Sequence, residues 1–496
     1  MIFKCTRQFS LTPHLRTITS CPLSLPSPSR SWSRSPPPLP PPPPSKPTSL
    51  SNLADQCLCM HQLKQIHAQM IITGRIRDDN YAASRLLAFC SLSDDGDLNH
   101  AFKIFSSIQQ PNSFMWNTLI RALASSPTPQ RSLSLFVQMR RLCIAPGKHT
   151  FPFVLKACSN LKSLCASTQI HVNVLKFGLD SDLHVANGLI RAYSVSGCLS
   201  HARKLFDQAS VRNLSIWTTM ISGYAQSDCG SEAIQLFHEM ITHGFEPNGV
   251  TLASVLSACA QSGGLELGGQ IHSYMQEKGI EFGVILGTAL VNMYARNGAF
   301  VQARQCFASM QERNIATWNS MICGLAVHGH AKEALDFFKK LEQEKVRPSD
   351  ITFIGVLSAC CHAGLFDFGG RIFHSMSRVY GIQPKIEHYS CMVDLLGRSG
   401  KLLEAEELIK GMKWKADVVI WGALLTACKN FKNTDVAERV GKEILALDPH
   451  NHGVYVVLSN MYAEAGRWED VVKLRKFMKE GRLKKTPGWS LVDGAT

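Results

Sequence analysis

Trp116, Trp217 and Trp318 stand 101 residues apart, and Cys158, Cys259 and Cys360 keep the same interval, as do Pro146, Pro247 and Pro348. Three unrelated residue types recurring in register mark a repeated block. A fixed period of this kind is the signature of small stacked units rather than one globular core. At 496 residues, length alone suggests about three domains; the period replaces that expectation with one long array.

The block is itself subdivided. Trp116-Asn117-Thr118-Leu119-Ile120 recurs as Trp217-Thr218-Thr219-Met220-Ile221 and as Trp318-Asn319-Ser320-Met321-Ile322. A second unit carries Val154-Leu155-Lys156-Ala157-Cys158 and its counterparts ending at Cys259 and Cys360. A third, shorter unit places Ala202 and Ala303 in its second half. Residues 113–147, 148–182 and 183–213 have lengths of 35, 35 and 31. Each unit reads as two antiparallel helices. In 231–244, Ala233, Leu236, Phe237 and Met240 share one helical face, and Gly244 with Pro247 supplies the stop signal. Ala334, Phe337, Phe338 and Leu341 repeat that design. A single hairpin cannot bury its apolar faces alone, so neighbours must stack. The expected fold is all-α: a right-handed superhelical solenoid of helix-turn-helix repeats.

The formal net charge of +14 favours a polyanionic partner without proving one. Lys4, Arg7, Arg16, Arg30, Arg34 and Lys46 precede the first acid, Asp55, in a stretch rich in Ser, Thr and Pro. Basic, Ser-rich and acid-free is the pattern of an organelle transit peptide, expected with its linker over 1–50. Arginines spread through the first 34 residues tilt the choice between mitochondrion and chloroplast toward mitochondrion. The prolines between Pro36 and Pro44 read as a stiff spacer, with a proline-binding signalling domain the weaker alternative. No apolar run suggests a membrane span. Seventeen cysteines are an odd number, follow the repeat and form no C-x-x-C, which argues against disulfides and zinc. Cys158, Cys259 and Cys360 are expected in the core. His328 and His330 flank Gly329 in what reads as a turn rather than a metal site.

The unit lengths, with Gln65-Ile66-His67, Gln169-Ile170-His171, Gln270-Ile271-His272 and His388-Tyr389-Ser390-Cys391-Met392-Val393-Asp394-Leu395-Leu396-Gly397-Arg398, resemble the pentatricopeptide repeat family. The likeness is to the plant class alternating standard, long and short repeats, and it covers nearly all of the chain after residue 57. The tetratricopeptide family, the nearest rival, does not alternate in length. The resemblance implies a partial repeat over 51–79, alternating repeats over 80–417 and an E-type extension over 418–496. The extension is similar to the family's through Leu447-Asp448-Pro449, Tyr455-Val456-Val457-Leu458-Ser459-Asn460 and Gly466-Arg467-Trp468.

The resemblance also implies binding of single-stranded RNA, one repeat per base. A polar residue early in the first helix and the last residue of the repeat read the base edge together. Ring N–H groups of G and U suit a carboxylate, and bare ring nitrogens of A and C suit an Asn amide. Carried over, Ser84 with Asn112 implies A, and Asn117 with Gly147 a pyrimidine bias. Asn187 with Asn213 implies C or U; Thr218 with Asn248, and Thr288 with Asn314, imply A. Asn319 with Ser349 implies C, and Ser390 with Asp417 implies G. Long-repeat pairs Pro152/Asp182, Ala253/Gly283 and Ile354/Lys385 depart from the code and read as spacers. The implied target is 5′-A-Y-N-Y-A-N-A-C-N-G-3′. At each position a helix cap or a turn residue is the competing reading. Val250, Ile285 and Ile351 suit the second position, which sandwiches bases in the family; Ser215 and Ala316 offer little surface there.

In the family the extension docks proteins of the RNA-editing machinery, and related chains continue into a zinc-dependent cytidine deaminase. That site needs H-x-E followed by P-C-x-x-C, and neither motif occurs here. The expectation is therefore a non-enzymatic, cofactor-free protein that specifies a C-to-U site on organelle RNA and recruits a deaminase in trans. The alternatives are a factor for transcript stability, splicing or translation, and a protein-interaction scaffold that never touches RNA. Lys473, Arg475, Lys476, Lys479, Arg482, Lys484 and Lys485, with Trp468 and Trp489 near the ends, form a basic run. It reads equally as an RNA-backbone contact or a solvated face.

Overall fold

The computed structural model describes residues 50–76 and 79–480. The basic leader (apart from Leu50), the proline run and the residues Arg482, Lys484, Lys485 and Trp489 lie outside that range. Among the described residues there are 26 α-helices and no strand. No helix there is long and apolar enough to cross a membrane. The chain divides into two compact units, one up to Ser262 and one from Gly263 on.

In the first unit, the helix Leu214–Ala225 packs on its hairpin partner Gly230–Thr242 and on the next first helix, Gly249–Ser262. In the second, Val284–Arg296 packs in the same way on Phe300–Ser309 and Ile315–Val327. First helices therefore lie side by side, and each second helix backs its own first helix. Ala233, Leu236, Phe237 and Met240 are all buried, as are Ala334, Phe337, Phe338 and Leu341, so the faces read from periodicity are the packed ones.

The period-marking residues are the core. Trp116, Trp217 and Trp318 are each 1% exposed and meet Phe105, Phe206 and Phe307 edge-on, at centroid separations of 4.8, 4.9 and 4.8 Å. Those phenylalanines keep the same 101-residue interval. Cys158, Cys259 and Cys360 are fully buried, and burial pushes their thiols up to about 12, 11 and 11, as for small apolar side chains. First helices approach closely where the side chain is smallest. A Cβ on Gly223 would lie 2.6 Å from Ser194 Oγ, and one on Gly324 2.6 Å from the Ala295 Cβ. His328 Nε2–H donates to the Arg296 carbonyl at 2.9 Å beside Gly329 at φ +80°, so the His-Gly-His segment is a turn.

The second helices Gln130–Arg141, Gly230–Thr242 and Ala331–Gln343 each end on a left-handed residue. Cys143, Gly244 and Lys345 (φ +58°, +80° and +56°) occupy equivalent sites. In each case that residue's N–H, and the next one's, turn back to carbonyls of the last helical turn. Only Gly takes this conformation without a Cβ penalty. Lys345→Gly is expected to stabilise the second unit by roughly 0.5–1 kcal/mol, the strain relief exceeding the added unfolded-chain entropy. Urea denaturation followed by circular dichroism checks this; a lowered midpoint would refute it.

Two further hairpins close the described chain: Val418–Asn430 with Thr434–Leu447, and His452–Glu464 with Trp468–Glu480. Trp421, Leu424, Ile444 and Leu458 belong to one core with Leu402 and Ile409 of the preceding hairpin. Glu406, 4% exposed, accepts from Arg439 Nη2 at 2.6 Å and Lys410 Nζ at 2.7 Å. The Arg439 guanidinium, opposed by burial and helped by Lys410, holds this carboxyl down at about 2. The folded value lies below the ordinary 4.5, so between the two the native state binds fewer protons. The pair's contribution is complete above about pH 4.5 and is lost as the pH falls toward about 2. Glu406→Ala is expected to cost about 1–2 kcal/mol at neutral pH, because both cations remain half-exposed and rehydrate. It also flattens the acid limb of the stability–pH curve; an unchanged limb would refute the assignment.

Candidate RNA interface

Except at Gly147, where Thr150 takes that place, the last residue of a repeat is the N-cap of the following first helix. Asn112 Oδ1 accepts from Met115 N–H, Asn213 from Ile216 and Asp417 from Ile420, at 3.0, 3.0 and 2.9 Å. Asn248 and Asn314 do the same for Thr251 and Thr317, at 2.8 and 3.0 Å. The cap reading thus holds for these residues. It also orients them. A backbone N–H can meet only the oxygen of an amide, so each Asn turns Oδ1 inward and its Nδ2 outward. Among the described residues no hydrogen-bond partner takes that Nδ2 in Asn112, Asn213, Asn248 or Asn314. Asn112, Asn248, Asn314 and Asp417 are exposed and Asn213 is half-buried.

The early first-helix residues lie below this surface. Ser84, Thr218, Thr288, Asn319 and Ser390 are buried at 8, 8, 4, 7 and 7% exposure. In three repeats a threonine that sequence reasoning had passed over joins the two paired positions. Thr251 Oγ1–H donates to Asn248 Oδ1 at 3.0 Å and lies 2.8 Å from Thr218 Oγ1. Since the single Thr251 proton goes to Asn248, Thr218 donates to Thr251 and keeps a free lone pair. The pair so presents an acceptor and an amide donor, the complement of adenine's amino group and bare ring nitrogen. Thr288, Thr317 and Asn314 repeat the triad at 2.7 and 3.1 Å.

The third triad differs. Asn319 Oδ1 accepts from Thr352 Oγ1 at 2.6 Å, and its Nδ2 donates to Ser349 Oγ at 2.9 Å. Its amide is therefore largely committed inside the protein. Ser84 and Ser390 donate to backbone carbonyls of Tyr81 and Ile386, with no link to Asn112 or Asp417 among the described residues. Asn117 and Asn187 are half-buried, and each has a buried Oδ1 with no partner among the described residues. Gly147 N–H donates to Thr150 Oγ1 at 3.1 Å. In the long repeats Asp182 caps the next helix, and Lys385 pairs with Asp350. The signal for the bridging threonines was available: they stand three residues after the repeat end, where a hydroxyl both caps and reaches back.

The second position of the first helix is solvent-facing. Val250, Ile285 and Val419 are 43, 45 and 60% exposed, and Tyr81 and Phe114 in the same register are 56 and 50% exposed. Sequence reasoning overlooked the two aromatics, which offer wider stacking surfaces than aliphatic side chains. Ile351 is half-buried. Of the C-terminal basic run, Arg475 donates to Ser459 and Lys473 lies near Asp470, while Trp468 is exposed. Among the described residues no group of three or more His, Cys, Asp or Glu side chains is arranged to hold a metal ion.

Stacked hairpins with a row of paired polar side chains along the first helices define a helical-repeat protein whose units each present one small recognition surface. The chain belongs to the pentatricopeptide repeat family. PPR repeats match at 114–144, 185–214, 288–315 and 387–415, the PPR repeat family at 212–261 and 313–362, and an E motif at 431–493. Pentatricopeptide repeat-containing protein At5g56310 of Arabidopsis thaliana is 41% identical over 467 residues, covering 87% of this chain and 88% of its own. Pentatricopeptide repeat-containing protein At1g59720 of the same plant, named chloroplastic/mitochondrial, is 40% identical, covering 89% of this chain and 72% of its own. Among solved structures, the pentatricopeptide repeat protein PPR10 in complex with an 18-nt psaJ RNA element superposes with a TM-score of 0.58 at 17% identity. That match covers 85% of this chain but 62% of the other, and it shows the fold.

Proposed function

We propose that this protein binds single-stranded RNA in a plant organelle and specifies a C-to-U editing site. The observation that carries the reading is the Thr218–Thr251–Asn248 triad and its copy at Thr288–Thr317–Asn314. Each turns an amide donor and a hydroxyl lone pair toward one base edge, as recognition of a splayed-out base requires. Asp417 supports G at the last position, since its second oxygen remains an acceptor for a ring N–H. The family, and the chloroplastic or mitochondrial names of relatives, support the organelle assignment. The division into repeats over 80–417 and an extension over 418–496 accompanies this reading. The E motif supports the extension as the surface that recruits a deaminase supplied in trans.

Two experiments test it. Gel shifts with 5′-A-Y-N-Y-A-N-A-C-N-G-3′ should show tighter binding than a scrambled oligonucleotide. Thr218→Asn should move the preference at its base from A toward C, about 10-fold or more. A protein indifferent to base order loses the base-reading assignment, and one that binds neither oligonucleotide is a scaffold instead. Organelle transcripts from plants with and without the chain should differ at one or a few cytidines. Equal editing with altered transcript ends or unspliced introns would replace editing with RNA processing.

A further inference from the structure

Arg121, Lys156 and Arg191 occupy the same register on three consecutive first helices, Ser113–Ser125, Phe151–Leu161 and Leu183–Val195. Each follows by four residues the early position of its repeat (Asn117, Pro152 and Asn187), so it lies one helical turn along the same face. All three are exposed. Several cations elsewhere are paired, Arg203 with Asp207, Arg304 with Glu333, Arg398 with Asp394 and Arg439 with Glu406. Among the described residues no carboxylate lies within ion-pair distance of this trio.

The trio is braced across repeats. Lys156 Nζ donates to Ser125 Oγ of the preceding first helix at 2.8 Å, and the Arg121 guanidinium lies 5.5 Å over the Phe153 ring of the following one. Desolvation, then the charges of Arg191 and Arg121, hold the Lys156 ammonium below its usual range. Like charges kept together without a counter-charge are relieved by an anion that spans them. One turn away, the buried Oδ1 atoms of Asn117 and Asn187 have no partner among the described residues; a base N–H or ribose hydroxyl of a bound strand could donate to them, whereas phosphate oxygens meet only the cations. At the same register further along stand Ser222, Ser257, Asn292, Cys323, Ser358 and Asp394, so the cationic stretch is confined to three repeats.

We infer that Arg121, Lys156 and Arg191 form a clamp for the phosphodiester backbone of a single-stranded RNA, one cation per repeat and per nucleotide. Packed helices lie about 8–10 Å apart, so the charges recur at the repeat interval rather than converging on one small ion. The clamp fixes the register of the strand and carries no sequence information of its own. The inference rests on the RNA-binding reading.

The test is the full chain carrying R121Q, K156Q and R191Q together, with R121K/R191K as the charge-keeping control. Kd is measured for the ten-base target and a scrambled RNA between about 50 and 200 mM KCl, a range over which phosphate contacts dominate affinity. Expected is a log Kd against log salt slope shallower by about 2, at about 0.7 per phosphate contact on a single strand. Both RNAs lose affinity by the same factor and the control keeps the slope. An unchanged slope overturns the clamp, including the outcome in which the triple variant loses only an acidic protein partner. Wild-type protein that binds both RNAs equally, but with a slope the triple variant reduces, overturns base reading and leaves the clamp. Wild-type protein that binds neither overturns both.

Discussion

Replacing Trp318 by alanine is expected to destabilise the second unit by about 3–5 kcal/mol, the range for emptying a buried aromatic site. The indole is 1% exposed and sits between Phe307 and Phe337, at centroid separations of 4.8 and 6.3 Å. Phe307 and Phe337 belong to the flanking second helices Phe300–Ser309 and Ala331–Gln343, so the lost volume opens a hairpin-to-hairpin seam rather than one hairpin. Trp318→Phe is expected to cost only about 1–2 kcal/mol, because the buried Nε1–H has no hydrogen-bond partner among the described residues to lose. Urea denaturation of both variants decides this. Equal losses would mean that the indole nitrogen, not the ring, carries the effect.

The second large effect is expected at Thr251, which is fully buried. Thr251→Val keeps the shape and removes the hydroxyl joining Thr218 to Asn248, leaving Thr218 Oγ1 without its acceptor and Asn248 Oδ1 with one donor fewer. Unsatisfied buried polar groups of this kind cost about 1–3 kcal/mol. The same change loosens the outward orientation of the Asn248 amide. Preference for A at that base should therefore fall, about 3- to 10-fold, while affinity for a scrambled RNA stays constant. Thr317→Val should act likewise on the next A. A melting shift with intact base preference would confine these threonines to a structural role.

Much of the architecture was legible because repetition exposes it. The interval shared by Trp116, Trp217 and Trp318 announced stacked units, and the same tryptophans are the buried centres of their hairpins. The apolar stripe through Ala233, Leu236, Phe237 and Met240 named its own buried face, since helical spacing alone places those residues together. The candidate site was legible only as residue types. Asn248 reads equally as a cap or as a base contact, and it is a cap whose free amino group still points outward. Asn319 looked like the other early residues, yet Thr352 and Ser349 occupy its amide. Tyr81 and Phe114 lay in the stacking register from the start and were overlooked because neither repeats at the block interval.

Local order in the chain thus determined the units, their helices and which faces are apolar, since periodicity and caps act within a few residues. Which polar atoms remain free was decided only once neighbouring hairpins stacked. Thr251 reaches Thr218 across 33 residues of chain, and Lys156 reaches Ser125 across 31. A hydrogen bond has one proton to place, and only the assembled neighbour shows where it goes.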